Sequence, residues 1–205
     1  MLASASKARS ELLAKVGIPH DVMISGVDEK VFEYSDASEL VASLSLAKAK
    51  AVSEKISATE FKTASDKQIN LVLGCDSVFV FQDEILGKPR DKKEAIQRWE
   101  RMSSNFGFLI TGHSLLFRSL SLGDNQDFNL NGLIQEVIST RVEFEELTSL
   151  EIKEYVETGE PLSCAGGFTL EGRGGIFIRE INGCYSNVIG LSLPWLRKAL
   201  VSIEL

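Results

Sequence analysis

The chain has 205 residues, 44% hydrophobic and 25% charged, with a formal net charge of -7 and a pI near 5.0. That is enough chain for one large domain or two lobes sharing a sheet, and the composition is that of an ordinary globular protein rather than a disordered or fibrous one. The acidic balance argues against a DNA or RNA polymer as the main ligand, but not against a nucleotide held by a few local cations.

Ser4, Ser6 and Arg9 open the chain as S-x-S-x-x-R. Ala8, Leu12, Leu13 and Val16 follow at helical spacing and Gly17 ends the run, which predicts a helix with Ser6 as its N-cap. Free N–H groups at a helix start, two hydroxyls and an arginine suit a phosphate; a capping serine beside a solvated arginine uses the same residues. Pro19 to Ile24 reads as a short strand, with Asp28 and Glu29 on the loop after it. Asp36 and Glu39 make a capping box for a helix on which Leu40, Leu44, Ala47 and Ala51 align as a buried stripe. Lys48 and Lys50 flank that stripe, and spacing does not choose between them. Residues 58–70 read as a polar surface loop.

Leu71-Val72-Leu73 reads as a strand leading into Gly74, with Asp76 directly after it, where a carboxylate has no packing reason to be. Val78 to Phe81 continues as strand, and Gly87-Lys88-Pro89 puts a cation on a tight turn. An acid at a strand end and a lysine on a turn of one hairpin suit a metal-bound phosphate, although ordinary turns use the same residues. Asp91 and Glu94 form a second capping box, for a helix that buries Ala95, Trp99 and Met102. Phe106 to Leu116 is a strand-rich run interrupted at Thr111-Gly112, where the chain bends or approaches a ligand. Leu122 to Gly132 reads as a hairpin tip, with Ile134 to Phe144 as the return strand.

Thr148 and Glu151 give a third capping box, for a helix through Ile152, Tyr155 and Val156 that Gly159-Glu160-Pro161 stops. The glycine-dense stretch Cys164 to Gly175 reads either as hairpin turns or as backbone closing on a flat ligand such as a base. Ile176 to Ile178 is a strand, Gly183 to Asn187 a loop and Leu193 to Ile203 a final helix. The class is α/β, with hairpins that exclude a purely parallel sheet. Cys75, Cys164 and Cys184 contain no CxxC pair, so buried reduced thiols are expected. No run approaches the ~20 apolar residues of a membrane span, and a signal peptide's long apolar core is missing at the start, so the expected location is cytoplasmic.

In this order, S-x-S-x-x-R, Asp-Glu, L-A-x-x-K-A, G-x-D-S, G-K-P, T-G, Y-V-x-T-G-E-P, A-G-x-F-x-x-E-G and S-N-V-x-G-L resemble the Maf proteins, from Ala3 to about Pro194. The resemblance implies one domain over residues 1–205, with two lobes around a long, twisted, mixed β-sheet, helices packed on it and a central cleft, often as a homodimer. It also implies hydrolysis of nucleoside triphosphates to monophosphate and pyrophosphate with Mg²⁺ or Mn²⁺; the acidic balance and the lack of a membrane-length apolar run make neither a nucleic acid polymer nor a membrane an expected partner. Carried over by position, Asp76 is the catalytic acidic residue, assigned as proton acceptor, and Glu29 is the second acidic residue, sharing the metal with it. Lys50 is the lysine of L-A-x-x-K-A, Ser4, Ser6 and Arg9 form the phosphate loop, and Lys88 is the lysine of G-K-P. Neither His20 nor His113 falls in a motif, and catalysis is assigned to neither.

Three departures stand out. Lys7 replaces the usual proline after Ser6, adding charge near the phosphates. The apolar strand ahead of the first motif is cut to Met1-Leu2, so that either this strand is frayed or the recorded start is late. Where the family carries L-S-G-R-x-H, this chain reads Met102 to Gly107 as M-S-S-N-F-G. For base choice, a family branch preferring thymidine and uridine triphosphates has Gln at the position of Glu171, and one preferring 7-methylguanosine triphosphate has Glu in a C-A-G-x-F-x-x-E-G context like this one. A carboxylate only accepts hydrogen bonds, so Glu171 suits a base edge that donates; a solvated Glu171 on a Gly-rich hairpin fits the sequence as well. The rival readings are a nucleotide-binding regulator of septum formation with little turnover, and an enzyme releasing orthophosphate.

Overall fold

The computed structural model describes residues 1–32, 34–59, 70–118 and 130–203. Most of the expected loop over residues 58–70 and of the expected hairpin tip over 122–132 lies outside them. Five strands, β1 (Leu71–Phe81), β2 (Glu84–Leu86), β3 (Phe106–Phe117), β4 (Gly132–Phe144) and β5 (Ile178–Asn182), form one sheet in the order β2-β1-β3-β4-β5. The α/β class holds. The sheet expected to be mixed is antiparallel among these strands, with parallel pairing at the isolated bridges of Leu2 to Val22 and Leu73. The chain divides into two compact units: residues 1–76, 112–137 and 193–205, and residues 77–111 and 138–192.

In the first unit, Ser6 caps α1 (Lys7–Lys15) by accepting from Arg9 N at 3.4 Å, and Gly17 turns the chain away at φ +72°. The expected strand over residues 19–24 reduces to a single bridge at Val22. Met1-Leu2 is not frayed. Leu2 is fully buried, and Ala3 N donates to Leu73 O while Leu73 N donates to Met1 O. Asp36 Oδ1 accepts from Glu39 N at 2.8 Å and starts α2 (Ala37–Thr59).

The buried face of α2 is Val41, Leu44, Ser45, Ala49, Val52 and Ile56, not the expected stripe, of which only Leu44 is fully buried. Two strand glycines set that rotation. A Cβ on Gly74 of β1 would stand 2.1 Å from Ser45 O, and one on Gly112 of β3 would stand 2.1 Å from Val41 O. The helix backbone therefore rests directly on the strands, and Gly112 is a helix contact rather than a break: β3 runs through Thr111-Gly112 without interruption. Gly74→Ala and Gly112→Ala must push α2 off the sheet, and each is expected to cost about 1–3 kcal/mol in urea unfolding. The third helix of this unit, α6 (Leu193–Ser202), buries Trp195, Leu196 and Ala199, and Trp195 packs on the fully buried ring of His113.

In the second unit, Asp91 caps α3 (Lys92–Met102) through Glu94 N at 2.8 Å, and the helix buries Ala95, Trp99 and Met102. The expected reciprocal box is half present, because Glu94 reaches back to Arg90 N instead of Asp91 N. Thr148 and Glu151 form the full box at α4 (Ser149–Glu157), which buries Ile152, Tyr155 and Val156. Gly159 stops that helix at φ +76°. The core is aromatic and edge-packed, with ring centroids 5.1 Å apart for Phe79–Phe168 and 5.3 Å for both Trp99–Phe144 and Trp99–Tyr155. Residues 173–177 form a 3-10 segment, so of the strand expected over Ile176 to Ile178 only Ile178 is strand, opening β5, and a short helix α5 (Tyr185–Val188) stands where a loop was expected.

Candidate active site

Asp76 does not follow a strand; it sits inside β1, on the first unit, and is 7% exposed. Buried carboxylates are expensive unless partnered. Its partner is Lys48, whose Nζ donates to Asp76 Oδ1 and also lies 2.6 Å from Glu29 Oε1. The Lys48 side chain is 12% exposed and that of Glu29 58%, so the pair of carboxylates runs from the interior to the surface across one ammonium group.

The first motif is tied to the same strand. Arg9, itself buried, donates from Nη1 to Cys75 O at 3.0 Å and to Ser4 Oγ at 3.2 Å, and Ser4 Oγ also accepts from Ser6 N at 3.1 Å. Arg9 thus fixes the serine loop against the residue preceding Asp76. Glu29 is placed from the other side: Lys55 Nζ donates to Ile24 O at 3.1 Å and Ser25 O at 2.6 Å, holding the loop that leads to the 3-10 turn Glu29–Val31.

Lys48 and Lys55 are seven residues apart and share a face of α2, whereas Lys50 lies about 200° round the helix from Lys48 and is exposed. The structure thus brings Ser4, Ser6, Arg9, Glu29 and Asp76 together, and sets Lys48, not Lys50, among them. Its signal in the sequence was the alternative stripe 41-45-48-52, which carries Lys48 inward.

Burial raises the Asp76 carboxyl above the ordinary carboxylate range; the Lys48 ammonium and Arg9 oppose that, and Glu29 adds to it. Burial likewise pushes the Cys75 thiol up to about 11, so it is an inert core group as expected. Two carboxylates already converging on one cation are a fair match for a hard divalent ion. No cluster of three or more His, Cys, Asp or Glu exists among the described residues, so the remaining ligands would be water and substrate oxygens, as Mg²⁺ prefers.

The other two expected residues belong to the second unit. Lys88 is exposed on its turn, and Glu171 is exposed on the glycine-dense stretch. That stretch is shaped by Glu160, whose carboxylate accepts from Tyr155 Oη at 2.7 Å, Thr169 Oγ1 at 2.5 Å, and Arg173 N and Gly174 N at 2.9 Å each. Burial alone would raise the Glu160 carboxyl, but those hydrogen bonds win and hold it below its ordinary value. The Tyr155 hydroxyl is pushed up by burial and by Glu160. His20 bonds Ile18 O and Ser10 Oγ, a local brace in keeping with a structural role.

The family model described as "Maf-like protein" matches residues 1–203. The chain is 50% identical over 200 residues to a protein of Prochlorococcus marinus (strain SARG) called nucleoside triphosphate pyrophosphatase, covering 98% of this chain and 95% of that one. It is 52% identical over 200 residues to a protein of the same name from Parasynechococcus marenigrum (strain WH8102), covering 98% and 93%. A third, from Prochlorococcus marinus (strain MIT 9313), is 48% identical over 205 residues and the full length of both. With the motifs in order, the acidic pair and serine loop assembled and the match running end to end, the chain belongs to the Maf-like protein family.

Proposed function

We propose that this protein is a nucleoside triphosphate pyrophosphatase, cleaving the bond between the α- and β-phosphates to give monophosphate and pyrophosphate. The observation that carries the reading is the convergence of Asp76, Glu29 and Lys48 beside the Arg9-anchored serine loop. Both units belong to one Maf-like domain in this reading, since the family model covers both.

Asp76 accepts the proton of the attacking water, a role that its raised affinity for protons suits. Asp76 and Glu29 would hold a divalent cation, Mg²⁺ or Mn²⁺, which supplies charge neutralisation at the phosphate and acidifies bound water. Lys48 takes the place that resemblance gave to Lys50: it holds both carboxylates in register and offers a cation to phosphate oxygens. Arg9 supplies a planar donor set beside the Ser4 and Ser6 hydroxyls and the N-terminus of α1. Lys88 carries charge toward the leaving pyrophosphate, and Glu171 accepts hydrogen bonds from the base. A cytoplasmic site of action and a homodimer complete the reading.

Purified protein is incubated with Mg²⁺ or Mn²⁺ and a panel of ordinary and modified nucleoside triphosphates, and the products are identified. Monophosphate and pyrophosphate are expected; orthophosphate, or no turnover by folded protein, overturns the reading. In the same panel Glu171→Gln is expected to move preference away from guanine-type bases by about tenfold, because an amide can donate where the carboxylate cannot. An unchanged ranking removes Glu171 from base selection.

A further inference from the structure

The lysine of G-K-P, in the second unit, is supported differently from Lys48 and Arg9 beside Asp76. Lys88 is exposed and has no hydrogen-bond or ion-pair partner among the described residues, yet the turn on which it stands is held on both sides. On one side, Gly87 O accepts from Arg98 Nη1 at 2.6 Å and from Gly166 N at 3.2 Å. On the other, Arg90 N and Nε donate to Glu94 Oε2 at 3.0 and 2.7 Å. Glu94 and Arg98 are one turn apart on α3 and pair with each other at 2.5 Å.

Both are largely sheltered, at 12% side-chain exposure for Arg98 and 19% for Glu94, so the pair is screened less than one in open solvent. The next residue on the helix, Trp99, donates from Nε1 to Gly167 O at 2.9 Å. Residues 87–90 and 164–167 are therefore fastened to the same turn of α3.

We infer that Arg98, locked by Glu94, is a positioning residue that holds the Gly87-Lys88-Pro89 backbone so that the Lys88 ammonium is delivered to phosphate oxygens. A long flexible side chain on a mobile turn loses entropy on every binding event, and a braced turn has met that cost in advance. The guanidinium is suited to the task because its fork reaches a carbonyl and a carboxylate at once, which an ammonium on a lysine stem does not do. The inference rests on the proposed role of Lys88.

The test is a double-mutant cycle with Lys88→Ala and Arg98→Met, read as kcat/KM for pyrophosphate release from GTP with Mg²⁺. Calorimetric binding of inorganic pyrophosphate with Mg²⁺ gives a readout that needs no turnover. Arg98→Met is expected to weaken both by about tenfold when Lys88 is present and to change little once Lys88 is gone. Arg98→Lys recovers part of the loss. Where Arg98→Met fails to fold, Glu94→Gln opens the other side of the brace and enters the same cycle. Equal losses with and without Lys88 show a merely structural Arg98 and overturn the inference, as does no loss at all. If Lys88→Ala itself changes neither readout, the role of Lys88 fails first and the positioning role falls with it, a result told apart by that single variant.

Discussion

Asp76→Asn is expected to lower pyrophosphate release by about 10³-fold while the protein stays folded. The amide keeps the shape of the side chain, but it takes up no proton and offers no carboxylate to a cation. Asp76 lies within β1 and Lys48 keeps Glu29 as a partner, so neither the strand nor the ion pair at the surface is lost with the charge. Stability separates this from damage to the fold. The carboxyl of Asp76 is raised in the folded protein chiefly by burial. A group of that kind contributes stability that is full below its unfolded value and is lost as pH rises through the folded one. Wild-type, metal-free protein therefore gives up stability as pH climbs from about 4 through the raised value, and Asp76→Asn removes that slope. Urea unfolding at several pH values checks it. A variant less stable than wild type at neutral pH and no flatter in its pH profile would point to a structural Asp76.

What the sequence made legible follows from how local each signal is. Caps and helix stops were readable because one side chain meets one backbone group a few residues away: Ser6, Asp36, Asp91, Thr148 and Gly159 all stand where expected. The faces of α3 and α4 were readable for a related reason, since their apolar residues admit one helical stripe each.

Helix α2 admits two, because its sequence alternates small and apolar residues with little contrast. What decides between them is non-local, the absence of a side chain at Gly74 and Gly112 on strands far away in the chain. Strand interruptions were misread at Asp76 and at Thr111-Gly112 on the same account. A polar residue or glycine inside a strand looks like an end until the partner that accommodates it is known. The Glu160 hub was present as part of a motif, but its four donors come from three separate places in the chain, so its role as the former of the Glu171 loop could not be read from spacing.

The choice of Lys50 over Lys48 rested on the register of one motif, and the two variants give opposite expectations. Resemblance alone fits the motif L-A-x-x-K-A onto Leu46 to Ala51; the reading Leu44-Ser45-Leu46-Ala47-Lys48-Ala49 fits it equally with serine at the small position. Ser45 is fully buried, with its backbone carbonyl over Gly74 and its hydroxyl 2.8 Å from Ser114 Oγ, whereas Ala47 is half-buried, which favours the second register. Lys48→Met is therefore expected to lower kcat/KM by about 10²-fold, and Lys50→Met to leave it within about twofold.

Loss of Lys48 also leaves the buried Asp76 facing Glu29 without a cation between them. Removing one member of a fully buried pair costs about 3–5 kcal/mol; with Glu29 half in solvent, about 1–2 kcal/mol is expected here. A divalent ion can then take up the charge balance that the ammonium provided, so Mn²⁺ should raise the unfolding temperature of Lys48→Met by more than it raises that of the wild type. An active Lys48→Met beside an inactive Lys50→Met reverses the assignment. An inactive Lys48→Met that Mn²⁺ does not stabilise would separate the lysine from the metal and leave it a contact to phosphate alone.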